Sequence, residues 1–170
     1  MRTLWLKVRS RAAALSRLRT PGEWWLWLRV FLFAASIPPL LYLKFSTLTR
    51  LLQFRIGASK LPAARPQQVE SVLRCIESAM LVGRPLIRQS CLVRGLTRYY
   101  FLRRAGGDVR LCFGAASSHG ELTSAPGHCW LEKDGRPFLE ERDPRLSFVR
   151  IYTLPQPTPA GAARVEASDA

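Results

Sequence analysis

The hydrophobic and polar positions fall into three regimes. Residues 24–43, "WWLWLRVFLFAASIPPLLYL", are apolar almost throughout. Residues 66–104 repeat at helical spacing. "PQQVESVLRCIESAMLV" (66–82) puts Val69, Val72, Leu73, Ile76, Ala79 and Met80 on one helix face, with Pro66 suited to the first turn and Cys75 off that face. "GRPLIRQS" is a loop broken by Gly83 and Pro85. "CLVRGLTRYYFLRR" predicts a second helix from Cys91 to Arg104. Its buried face is Leu92, Leu96, Tyr99 and Tyr100, its last turn carries Arg103 and Arg104, and Gly106-Gly107 ends it. From residue 108 the period becomes two. "DVRLCFGA" (108–115) sets Val109, Leu111 and Phe113 against Arg110 and Cys112, and "GHCWLEKDG" is a second strand closing on a Lys133-Asp134-Gly135 turn. "RPFLEE" is its hairpin partner and "SFVRIYTL" a fourth strand. Residues 116–126 are a polar connection. Helices followed by an antiparallel sheet give an α+β fold.

These regimes suggest three segments: a basic and apolar helical segment at 1–60, a folded domain at 61–154, and a Pro/Ala-rich, disordered tail at 155–170. With 170 residues and 48% hydrophobic residues the chain can bury a core. The formal charge of +14 is unevenly placed: residues 1–60 hold 11 Lys/Arg and one acid, Glu23, and residues 61–170 hold 15 Lys/Arg and 11 acids. A nucleic-acid-binding domain spreads its charge over a folded face. Here the charge flanks an apolar run, which fits a membrane surface and not nucleic acid.

Residues 1–20 carry six basic residues and no acid, as a basic amphipathic helix on anionic lipid or as a solvated extension. The 24–43 run is just long enough to span a bilayer, but it contains Arg29 and Pro38-Pro39, a pair that breaks a straight helix unless the freed backbone groups find partners. Trp24, Trp25 and Trp27 suit a headgroup region. The run is therefore either a membrane-embedded or membrane-surface anchor, or a helical face for soluble packing or partner docking. Residues 44–60 predict a further amphipathic helix ending near Gly57. A cleaved signal is not expected, since the basic leader is long and no small-residue cleavage pattern follows.

The cysteines at 75, 91, 112 and 129 form no CxxC pair and suggest a reducing compartment. A zinc site from Cys91, Cys112, Cys129, His119 and His128 is conceivable by residue type, but the spacing matches no ligand pattern, so neither metal nor cofactor is expected. A cysteine at a helix N-terminus is different chemistry. Unpaired N–H groups and the dipole there favour a thiolate and can hold an oxyanion. A nearby imidazole can take the thiol proton, and a further polar group can orient it. Cys91 has that position, His128 lies early on a strand, and Glu140, Glu141 and Asp143 lie on or just after the next one. The alternative is that both residues are structural, as Cys112 and Cys129 are read.

The order "CLVRGLTRYYFLRRAGGDVRLCFG … GHCWLEKDGRPFLEE" resembles the transglutaminase-like cysteine-protease domain of lasso-peptide biosynthesis, the leader-peptidase half of the B-type processing proteins, over roughly residues 66–153. That pattern opens a helix with Cys-Leu-x-Arg, ends it with Leu-Arg-Arg-x-Gly, and continues with a strand ending in Gly and then His-Ala-Trp-Val-Glu. The resemblance implies a papain-like fold, with Cys91 as nucleophile and His128 as general base. The family's third residue is an Asp about a dozen positions after the histidine, where this chain has Glu140; Asp143 is the alternative. Cys129 replaces the usual Ala, Gln89 is a weak candidate oxyanion donor, Arg94 is read as structural and His119 as incidental.

The activity so implied is leader removal from a ribosomally made lasso-peptide precursor. Family partners are a leader-binding protein and an ATP-dependent macrolactam synthetase. Residues 1–60 lack the strand-rich pattern of a leader-binding module, so a separate subunit is expected. Such a protein would be cytoplasmic, peripheral or anchored at the inner face of the plasma membrane. Two other readings stand beside this one: a different acyl-transfer enzyme on the same scaffold, such as an amidase or transglutaminase, and a non-catalytic membrane-associated scaffold.

Overall fold

In a computed structural model, residues 15–16, 18, 20–40, 66–84, 86–87, 90–116 and 127–155 are described. The predictions for residues 1–14, 44–60, 117–126 and 156–170 lie outside them, as do Gln89 and His119. The chain divides into two compact units, Met1–Asp108 and Val109–Ala170.

Among its described residues the first unit holds three helices: α1 (Pro21–Leu40), α2 (Pro66–Val82) and α3 (Cys91–Arg104), each packed on the other two. α1 starts three residues before the predicted apolar run because "TPGE" is a capping box. The Thr20 hydroxyl accepts from the Glu23 N–H at 3.2 Å, the Glu23 carboxylate accepts from the Thr20 N–H at 3.4 Å, and Pro21 takes the first turn. The same carboxylate accepts from Ser71 Oγ at 2.8 Å and from Arg74 Nη2 at 3.0 Å, which ties α1 to α2. Pro38 and Pro39 do not break the helix. Both lie inside the described span Pro21–Leu40, where each forgoes only the one i→i−4 bond its own N–H would have donated.

The bounds of α2 match the sequence pattern, but its buried surface is wider. Cys75, expected off the apolar face, is wholly buried, because α1 covers a second stripe of α2; its Sγ lies 3.6 Å from the Glu23 carbonyl. Burial pushes the Cys75 thiol up to about 11. The expected four-residue face of α3 is also too narrow. Leu96 and Tyr99 are buried as predicted, Leu92 and Tyr100 are half-buried, and Val93, Gly95, Thr97, Arg98, Phe101 and Leu102 are buried as well. A helix flanked by two others needs more than one stripe. Phe33 of α1 stacks on Tyr100 at 4.5 Å, and Arg98 donates to Glu77 of α2. α3 ends as predicted: the Gly107 N–H reaches the Leu102 carbonyl and the Gly106 N–H the Arg103 carbonyl, with Gly106 at φ 85°.

The second unit is a four-stranded antiparallel sheet in the order β3-β2-β1-β4, with β1 Arg110–Ala116, β2 Gly127–Lys133, β3 Arg136–Phe138 and β4 Phe148–Leu154. The hairpin turns at Asp134 (φ 51°) and Gly135 (φ 74°), joining Lys133 to its partner Arg136. β3 is shorter than "RPFLEE": Leu139 at φ 64° takes the chain out of the strand. Cys112, placed on the polar side of the period-two pattern, is fully buried; Trp130 stands opposite it and the Thr153 hydroxyl contacts its Sγ at 3.8 Å. Helices and an antiparallel sheet make the chain α+β.

Candidate active site

In the first unit, Ser90 caps α3. Its backbone is extended, and its hydroxyl accepts from the Val93 N–H at 3.2 Å. Cys91 is therefore the first residue of the helix, beside N–H groups that have no partner within it. Of the four cysteines, which are all free thiols, Cys91 is the only one not buried. Arg94, one turn on, is exposed.

In the second unit, His128 is the second residue of β2, directly opposite Gly114 of β1. Glu140 Oε2 lies 3.9 Å from His128 Nε2, ion-pair range but longer than a hydrogen bond. The kink at Leu139 delivers this carboxylate, since continued pairing of β3 would have kept residue 140 in the sheet. With Nε2 facing Glu140, Nδ1 is the nitrogen left for a reacting group. Asp143 is engaged elsewhere. It caps the 3-10 turn Pro144–Leu146 by accepting from the Arg145 N–H at 2.9 Å, and it grips the Arg145 guanidinium at 2.7–3.1 Å. That guanidinium holds the Asp143 carboxyl below the usual carboxylate range. The structure thus brings Glu140, and not Asp143, to His128.

Aromatic rings hold the imidazole. Phe148 of β4 stacks on it at 5.0 Å and 28°, and Trp130 lies parallel to it at 6.2 Å. Gly114 makes this possible: a Cβ there would come within 2.8 Å of both the Trp130 ring and the Val149 carbonyl. His128, Trp130 and Glu132 share one face of β2. The Trp130 indole N–H donates to Glu132 Oε1 at 3.1 Å, and Arg150 Nη1 donates to Oε2 at 3.1 Å, so the buried Glu132 is doubly partnered. Phe148, Glu132 and Arg150 are site neighbours that the sequence reading missed. The H-x-W-x-E spacing carried the signal for Glu132, because period two puts all three side chains on one face. Nothing in the sequence marked Phe148 or Arg150. Among the described residues no three of His, Cys, Asp and Glu gather as metal ligands.

A cysteine opens a capped helix in one unit, and an imidazole lies beside a carboxylate in the other. The chain belongs to the Transglutaminase-like superfamily: the family model matches residues 40–153, more than half of its 170 residues. Members of that superfamily are typically cysteine peptidases or acyltransferases. No curated protein and no solved structure matches the chain.

Proposed function

We propose that the protein is a cysteine peptidase that removes the leader from a ribosomally made lasso-peptide precursor, with Cys91, His128 and Glu140 as its catalytic residues. The observation that carries the reading is the Glu140 carboxylate beside His128 Nε2, in a superfamily member whose Cys91 opens a capped helix. The order of the Cys-Leu-x-Arg and His-x-Trp-x-Glu motifs supports the lasso-peptide substrate class.

The reading requires the Cys91 thiol to reach His128 Nδ1. The imidazole takes the thiol proton, and Sγ attacks the scissile carbonyl carbon. The carbonyl π pair moves to oxygen, where N–H groups at the start of α3 stabilise it. The tetrahedral species collapses to a thioester as His128 protonates the departing amine. Water, deprotonated by His128, then attacks the thioester. The collapse expels the thiolate, releases a carboxylate and returns the proton to the site. Glu140 orients the ring and stabilises its charged form.

The partners in this reading are a separate leader-binding protein and the ATP-dependent macrolactam synthetase, with the chain alone cleaving poorly. Purified protein, precursor, leader-binding protein and synthetase are incubated together and followed by mass spectrometry. Cleavage at the leader junction is expected, reduced by roughly 10³-fold or more in Cys91→Ala. Full leader removal by that variant would overturn the mechanism. Ammonia loss with cross-linking, in place of peptide-bond hydrolysis, would assign the site to a transglutaminase or amidase.

A further inference from the structure

α1 has two opposite apolar faces, and among the described residues only one is covered. Val30, Ala34 and Ile37 are fully buried on the side facing the other helices. On the other side Trp24, Trp25, Leu28 and Leu32 are 46, 63, 39 and 57% exposed. At 3.6 residues per turn these four fall within an arc of about 100°. Continuing along that arc, Ala35 and Pro39 carry no charge either. At its N-terminal end the helix borders a groove of about 730 Å³ lined by Thr20, Pro21, Trp24, Trp25, Trp27 and Leu28. A stripe of large exposed apolar side chains marks something that covers it.

The surrounding charge says what covers it. The twenty residues ahead of α1 hold six Lys/Arg and no acid, and exposed Arg29 flanks the stripe. Glu23, the one acid in the first sixty residues, is turned inward and consumed by the Thr20 cap, Ser71 and Arg74. The outward side of α1 thus combines bulky apolar groups and indoles with exposed Arg29, and the sequence ahead of the helix is basic. Tryptophan favours the headgroup region, and basic residues favour anionic lipid. No helix among the described residues is long and apolar enough to cross a membrane. We propose that α1 lies flat on an anionic lipid bilayer, with Trp24, Trp25, Leu28 and Leu32 entering the headgroup boundary and the preceding basic segment held by lipid charge.

The test uses the full chain and vesicles of phosphatidylcholine, either pure or with about a third phosphatidylglycerol. Co-sedimentation onto the anionic vesicles is expected to exceed that onto neutral ones by about tenfold at low salt, and to weaken as salt rises. The triple variant Trp25→Ser, Leu28→Ser, Leu32→Ser should lose about tenfold in binding. A milder variant, Trp25→Ala, should bind less than the parent with an unchanged circular dichroism spectrum. Brominated phosphatidylcholine mixed into the anionic vesicles should quench tryptophan fluorescence of the unmodified chain. The proposal is overturned by absent binding, by equal binding to both vesicles, by stripe variants that bind like the parent, or by absent quenching. It is equally overturned if light scattering shows a dimer that the triple variant dissolves, because the face then belongs to a second copy.

Discussion

Two carboxylates compete for one role at His128, and their environments separate them. Glu140 Oε2 sits 3.9 Å from Nε2, whereas Asp143 is saturated by the backbone and guanidinium of Arg145. Glu140→Gln keeps the shape and removes the carboxylate charge beside His128 on which the proposed mechanism relies. It is expected to lower kcat about 10²-fold, and Asp143→Asn to change it less than about twofold, in the precursor-cleavage assay. An equal loss in both variants would refute the assignment of Glu140. The sequence narrowed the third residue to these two, and the spacing of the motif pointed to Glu140. It had no means of showing that Arg145 occupies Asp143, because that contact depends on the 3-10 turn at Pro144–Leu146.

The strand face His128, Trp130, Glu132 is a unit at the scale of the element. Glu132 is almost fully buried, and its two oxygens serve the Trp130 indole and the Arg150 guanidinium on the far side of β1. Removing it strands the indole N–H and frees Arg150, so Glu132→Ala should cost about 2–3 kcal/mol in urea denaturation. Arg150 is half exposed and can turn to water, so Arg150→Ala should cost less. A smaller loss for Glu132→Ala than for Arg150→Ala would show that the carboxylate is not the hub. The helices were legible from their period and caps: α2 and α3 begin and end where the apolar spacing and the "AGG" stop put them. Their buried widths were not, since period reports one face and cannot say how many neighbours a helix has.

For the whole molecule, two buried thiols contribute to the response to alkali. Cys75 in the helical unit and Cys112 in the sheet are both pushed up to about 11, chiefly by burial, against an ordinary value near 9. An unfolded chain ionises these thiols from about pH 9, while the folded chain resists until about 11. Their contribution is therefore complete below pH 9 and is lost as pH rises through 11. The midpoint of thermal unfolding should be flat from pH 7 to 8.5 and fall between about pH 9 and 11, with a shallower fall in Cys75→Ala and Cys112→Ala. An identical fall in those variants would remove the thiols as its cause. The amino-acid order alone determined the α+β class, the helix start that makes Cys91 distinct, the strand that carries His128 and the basic, tryptophan-rich character ahead of and along α1. Those are local matters of period, capping and charge. Tertiary structure decided which acid faces the imidazole, why Gly114 must lack a side chain, that Cys75 is a core thiol, and which face of α1 is left exposed among the described residues. Each depends on what a second element places against the first, and no local pattern contains that information.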